Sequence, residues 1–298
     1  MPDLPLPSPA HAAPLPPPRE AGEGVSVLAG VPYAAPPGAR PLELDLYLPA
    51  GRPGPVVVFV HGGGWRLGSR HSAGPAFPGR SPFERAARAG IAVASVDHRL
   101  SGEARWPAQL HDVKAAVRWL RSRAGELGVD PGRVYAWGES AGGHLAALLG
   151  LTGDRPELEG DVGVTGPSSA VDAVAAWSAP SDLPALAADL GTDPMAADSR
   201  EAQLLGAPVP TVPDLAAQAS PVTHVSPGAP PFLLLHGRAD RAIPCVQSER
   251  LRDALQEAGA PVYLTGYDGA DHMWLGSPEA AADALTRTIG FLTARSGT

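Results

Sequence analysis

Hydrophobic and polar residues alternate over residues 42–48, Leu-Glu-Leu-Asp-Leu-Tyr-Leu, and a shorter apolar run at 25–28 precedes them. Alternation at period two puts the apolar side chains on one face of a strand, so the two runs predict an antiparallel hairpin with one wet face. Further along, the alternation disappears. Residues 56–60, 91–96, 134–137, 171–177, 232–235 and 262–266 are short, nearly continuous apolar runs, the pattern of strands covered on both faces of a parallel sheet. Between them lie segments with a helical period, 81–89, 107–124, 140–151, 247–258 and 278–294. In the second, Val113, Ala116, Val117 and Leu120 share one face while Arg118, Arg121 and Arg123 lie elsewhere. Strands alternating with helices predict an α/β chain with a doubly wound, mostly parallel sheet, whose ligands bind beyond the carboxyl ends of the strands. Function is therefore sought just after each strand.

Two intervals break the rhythm. Residues 1–22 are rich in proline and poor in large apolar side chains, which predicts an extended, disordered lead and leaves 23–298 as the folded domain. The interval 180–230 is rich in Pro, Ala and Asp, with helical pieces at 184–190 and 199–205. A connection that long predicts a small cap over the site.

Composition narrows the class. The 298 residues are 44% hydrophobic and 18% charged, enough apolar material for one large core and unlike a coiled coil or a disordered chain. With 31 acidic residues against 23 basic ones, the net charge is −8, and no Lys/Arg-rich run offers itself to a phosphate backbone, so nucleic acid is not an expected partner. No apolar run approaches the ~20 residues of a membrane helix. Cys245 is the only cysteine, so no internal disulfide forms, and an acidic, proline-interrupted start gives no export signal; a cytoplasmic protein is expected. The oligomeric state stays open, a homodimer included.

The chemistry follows the strands. After the run ending at Trp137 comes Gly138-Glu139-Ser140-Ala141-Gly142, and a helix begins at once. Glycines two residues either side of a serine permit a sharp strand-to-helix turn that holds the hydroxyl out beside the helix N-terminus. After the run 56–60 comes His61-Gly62-Gly63-Gly64-Trp65. Three glycines cost conformational entropy and suit a loop that brings its amides close to something; the amides of Gly63, Gly64 and Ala141 are the expected cradle for a developing oxyanion.

A nucleophilic serine needs a base, and the base needs an orienting acid. Asp240 follows the run 232–235 and His272 follows the run 262–266, so both fall on the rim that holds Ser140. Asp271 is a rival acid, but adjacent side chains on an extended loop point apart. His236, His61 and His144 are expected to be structural, and Asp97-His98-Arg99 is expected to form a rim hydrogen-bond network. Trp65 and Trp274 are expected to line the substrate pocket with aromatic walls. No metal-ligand spacing appears, and no cofactor is expected.

Together HGGGW at 61–65, WGESAGGHLAALLGL at 137–151, FLLLHGRADRAIP at 232–244 and GADHMW at 269–274 resemble the α/β-hydrolases of the hormone-sensitive-lipase-like esterase group, above all the bifunctional feruloyl and acetyl xylan esterases. The resemblance implies the α/β-hydrolase fold, a triad of Ser140, Asp240 and His272, and an oxyanion hole on the glycine loop and Ala141. It also implies a small carboxylic ester as substrate. Two departures stand out: Asp97-His98-Arg99 where the family usually has Asp-Tyr-Arg, and Met273-Trp274 where a Gly-Phe pair often follows the base. An amidase or peptidase of the same fold is an alternative reading, as is a non-catalytic binding protein on a hydrolase scaffold.

Overall fold

A computed structural model of the chain describes residues 9–51, 54–77 and 79–295. Nine strands form one sheet: β1 (Arg19–Gly22), β2 (Val25–Ala34), β3 (Leu42–Pro49), β4 (Gly54–Val60), β5 (Ala92–Val96), β6 (Val129–Glu139), β7 (Val174–Trp177), β8 (Phe232–Gly237) and β9 (Val262–Tyr267). Their order is β1-β2-β3-β5-β4-β6-β7-β8-β9. The first four in that order pair antiparallel and the rest pair parallel, as the change from alternating to continuous apolar runs predicts.

Helices cover both faces. On one side pack α2 (Ala108–Ser122), the short α3 (Ala124–Leu127), α4 (Ala141–Leu151) and α8 (Val246–Glu257). On the other pack α1 (Ser81–Arg88) and α9 (Pro278–Thr293), against Phe59, Trp137 and Trp177. Buried on both faces, β4, β5 and β7 can only be apolar or small, and Val and Ala supply this. Between β7 and β8 the chain runs through α5 (Leu183–Leu190), α6 (Arg200–Leu205) and α7 (Pro213–Gln218). Side chains cap the first two: Asp182 accepts from the Ala185 amide and Ser199 from the Ala202 amide, and Gly191 and Gly206 end them in the left-handed conformation.

β4 is the switch point. From it the chain passes to β5 on one side, whereas β6, its other neighbour, passes on to β7 on the opposite side. The loops leaving the carboxyl ends of β4 and β6 thus part and leave a crevice.

Two expectations need correction. The disordered lead was expected over 1–22; residues 1–8 lie outside the described residues, but 9–22 are docked. The Trp119 indole donates to the His11 carbonyl (2.9 Å), Arg123 donates to the Ala13 carbonyl (2.7 Å), and β1 pairs with β2. Proline removes backbone donors, not acceptors, so side-chain donors on α2 and its end hold a segment that has little apolar surface of its own. Nor is the hairpin's second face wet at Asp45. That carboxylate is fully buried, accepting from the Gly30 amide (2.9 Å) and Arg70 (3.0 Å).

Candidate active site

Ser140 sits between the last residue of β6 and the first of α4 with φ 56° and ψ −122°, a conformation costly for a residue with a Cβ. Its surroundings enforce it. The Ser140 amide donates to the Trp177 carbonyl (2.8 Å) and its carbonyl accepts from the His144 amide (2.9 Å). A Cβ on Gly138 would run into the Gly142 carbonyl, and one on Gly142 would run into the carbonyl oxygens of Val60 and His61. The glycines let α4 start against the end of β4.

His272 and Asp240 reach this turn from two other strand ends. His272 Nε2 lies 2.9 Å from Ser140 Oγ, and His272 Nδ1 lies 2.7 Å from Asp240 Oδ2. The other Asp240 oxygen accepts from the amides of Ala242 (2.9 Å) and Ile243 (2.8 Å). Burial alone would raise this carboxyl. Hydrogen bonds from His236 and His272 and the Ile243 amide outweigh it and hold the group well below the usual carboxylate range. An ionised Asp240 can only accept, so Nδ1 of His272 carries the proton and Nε2 is free to accept from the serine hydroxyl.

The rival acid is engaged elsewhere. Asp271 accepts from the His272 amide (2.7 Å) and the Arg241 amide (3.0 Å), and its other oxygen takes Arg241 Nε (2.8 Å). His236, expected to be merely structural, is a second neighbour of Asp240. Its Nε2 is 2.8 Å from the Ile243 carbonyl and 3.4 Å from Asp240 Oδ2. That link was legible only in the i, i+4 spacing from the end of β8 into the loop after it.

The glycine loop follows β4 with three consecutive positive φ values, 116° at Gly63, 61° at Gly64 and 57° at Trp65. A Cβ on Gly62 would lie 3.4 Å from Ser140 Cβ, and one on Gly64 would lie 2.8 Å from Arg200 Cδ on α6. The loop therefore runs between the Ser140 turn and the 180–230 insertion. The amides of Gly63, Gly64 and Ala141 have no backbone acceptor among the described residues. Beneath the loop, His61 and His98 stack 4.5 Å apart. Burial pushes both imidazoles down, His98 to about 3, so they are neutral packing groups. Asp97 and Arg99 form the expected network, Asp97 with Arg70 (2.6 Å) and Arg99 with Asp112 (2.6 Å).

The two tryptophans are not pocket walls, which corrects that expectation. Trp65 is 2% exposed and its indole donates to His144 Nδ1 (3.3 Å). His144 Nε2 in turn lies 2.6 Å from the Ala219 carbonyl, which fixes its tautomer, and burial pushes its imidazole down to about 4. Trp274 is 1% exposed, edge-on between Trp177 (5.6 Å) and Tyr267 (5.2 Å). Large indoles bury too much apolar surface to stay in an open groove when a core position is within reach. Trp274→Ala is accordingly expected to cost about 3–5 kcal/mol of stability, read as a lower denaturant midpoint. A changed KM with an unchanged midpoint would return Trp274 to the pocket.

Beside Ser140 there is instead a groove of about 290 Å³ lined by His61, Leu67, Ser72, Gly74, Pro75 and Met273, among others. Met273 escaped the sequence reading because nothing in a run of His-Met-Trp says which side chain faces inward. Two larger cavities, about 470 Å³ each, lie around the end of α4 and the start of β7, at the opposite end of the strands from Ser140. Among the described residues no cluster of three or more His, Cys, Asp or Glu is placed to hold a metal, and no helix is long and apolar enough to cross a membrane.

Residues 44–255 match the family described as BD-FAE. Esterase LipC of Mycobacterium tuberculosis is 36% identical over 207 residues, which is 67% of this chain and 49% of LipC. Isoprenylcysteine alpha-carbonyl methylesterase ICME of Arabidopsis thaliana is 30% identical over 234 residues, 77% of this chain and 53% of ICME. The chain thus spans about half the length of the curated relatives it matches. Among solved structures, a truncated form of a carbohydrate esterase from gut microbiota superposes with a TM-score of 0.79 at 30% identity, covering 91% of this chain and 96% of that one. The thermophilic esterase Est2 of Thermogutta terrifontis with propionate bound gives 0.73 at 28% identity, covering 91% and 94%. The fold is that of the α/β-hydrolases, and by a match spanning more than half its length the chain belongs to the BD-FAE family.

Proposed function

We propose that this chain is a serine carboxylesterase that cleaves small carboxylic esters through an acyl-enzyme intermediate. The observation that carries the reading is the unbroken relay from Ser140 Oγ through the His272 imidazole to the Asp240 carboxylate, at 2.9 and 2.7 Å. Ser140 is the nucleophile. His272 takes its proton at Nε2 as the hydroxyl attacks the ester carbonyl and returns it to the departing alcohol; Asp240 holds the tautomer and offsets the charge on the imidazolium. Water, activated by the same imidazole, then cleaves the acyl-serine. The amides of Gly63, Gly64 and Ala141 receive the oxyanion, each such donor being worth about 3–4 kcal/mol.

The groove beside Ser140 suits an apolar acyl or alcohol group of modest size, and the 180–230 insertion serves as a cap whose Arg200 and Ala219 touch the glycine loop and its support. The names of the relatives, esterases among them, favour an ester over an amide. A chain with the single cysteine Cys245 suits a cytoplasmic setting.

Matched substrates test this reading. p-Nitrophenyl acetate is expected to turn over at least about a hundredfold faster than p-nitroacetanilide, since the relay must supply more driving force to expel an amine. Equal or faster anilide turnover would make the chain an amidase. Tight binding of an ester without turnover would make it a binding protein.

A further inference from the structure

β6 ends on Glu139, the residue immediately before Ser140. Its carboxyl packs beneath the loop 72–77, where a Cβ on Gly74 would run into Oε2 and lie 3.0 Å from Cδ. Glu139 is 1% exposed, and neither of its carboxyl oxygens has a hydrogen-bond partner among the described residues. Buried carboxyls are ordinarily paired, because an uncompensated charge in the interior is costly.

Among the described residues no cation is placed against it. The covering loop reads Ser72-Ala73-Gly74-Pro75-Ala76-Phe77, and the neighbouring strand β7 ends on Trp177, which pairs with Glu139 in register. From the loop after β8 the group that faces it is Asp240, another carboxylate. Burial first, and then Asp240, push the Glu139 carboxyl up to about 8. Near neutral pH the facing pair of Glu139 and Asp240 therefore holds one negative charge, on Asp240.

We propose that Glu139 is a positioning residue for Ser140: as a neutral acid it fills the space between the Ser140 turn and Gly74, and its loss of a proton to solvent turns the site off. A carboxylate there stands beside the glycine-flanked turn and close to the point where substrate negative charge develops, so it opposes the oxyanion that the amides stabilise. It also leaves an unpaired charge under a backbone already held at positive φ. The inference rests on the esterase reading, in which Ser140 is the nucleophile.

Glu139→Gln keeps the shape and cannot ionise. The kcat/KM of wild type on an acetate ester is expected to fall about tenfold per pH unit above pH 8, while E139Q holds its neutral-pH rate into that range. Identical alkaline limbs in the two proteins would overturn the proposal. A second measurement needs no turnover: carbon-13 NMR of glutamate-labelled Ser140→Ala protein, with the resonance assigned by its absence from the protein that also carries Glu139→Gln. A titration near pH 8 supports the proposal, and a carboxylate already ionised well below neutral pH overturns it. A chain with no ester turnover but with that titration would fail the functional reading alone.

Discussion

Ser140→Ala is expected to reduce ester turnover by on the order of 10⁵-fold while leaving the fold intact. The hydroxyl makes one side-chain hydrogen bond, to His272, so its removal opens no cavity and orphans no group that water cannot reach. The positive φ at position 140 is imposed by the close approaches at Gly138 and Gly142, and alanine bears it as serine does. What disappears, on the proposed mechanism, is the atom that would form the acyl-enzyme, and with it the two-step route. The residue of catalysis should come from the amide cradle and substrate binding alone, about 10³–10⁴ over water. A fluorophosphonate probe should label wild type at one site and the variant not at all. Retention of even a tenth of wild-type turnover would place the nucleophile elsewhere.

Much of this site was legible because the fold sorts residues by position along each strand. In a doubly wound sheet every strand buried on both faces is an unbroken apolar run, and the residue after such a run stands on the binding rim. Ser140 and Asp240 each follow one, as does the glycine loop after β4, whereas His272 follows β9, a half-exposed strand at the edge of the sheet. Burial of side chains within those loops was not legible. Trp65 and Trp274 stand next to reactive groups in the chain, yet each turns into the core, because where an indole packs depends on which helix covers that face.

Charge compensation across the chain was equally hidden. Asp45 looks like the wet position of an alternating strand, but Arg70, 25 residues on, comes back to pair with it. Residues 9–22 dock through donors on Trp119 and Arg123 more than a hundred positions away. Glu139 reads as an ordinary acid at a strand end, and only the approach of Gly74 shows that it is buried without a hydrogen-bond partner among the described residues. Each of these failures concerns contacts between distant segments, whereas each success rested on a local pattern with a tertiary meaning.

Asp240→Asn is expected to lower kcat by about 10⁴-fold, and it tests the identity of the acid as well as its role. The substitution is nearly isosteric, and the Asn carbonyl oxygen can still accept from the amides of Ala242 and Ile243, so the loop after β8 should fold. Its amide group then faces His272 Nδ1. Being a donor, it forces the imidazole to carry its proton on Nε2, where the Ser140 hydroxyl needs an acceptor. The base is present and correctly placed but has the wrong tautomer, so the loss should fall on kcat with little change in KM. Asp271→Asn is the matched control. Its carboxylate is committed to Arg241 and to the His272 amide, and the substitution should cost less than about tenfold, in keeping with an exposed pair. Nitrogen-15 spectra of the His272 imidazole should show the proton moving from Nδ1 to Nε2 in the first variant and staying in the second. If Asp271→Asn proves the more damaging of the two, the orienting acid is Asp271, and the 2.7 Å contact between Asp240 and His272 is structural.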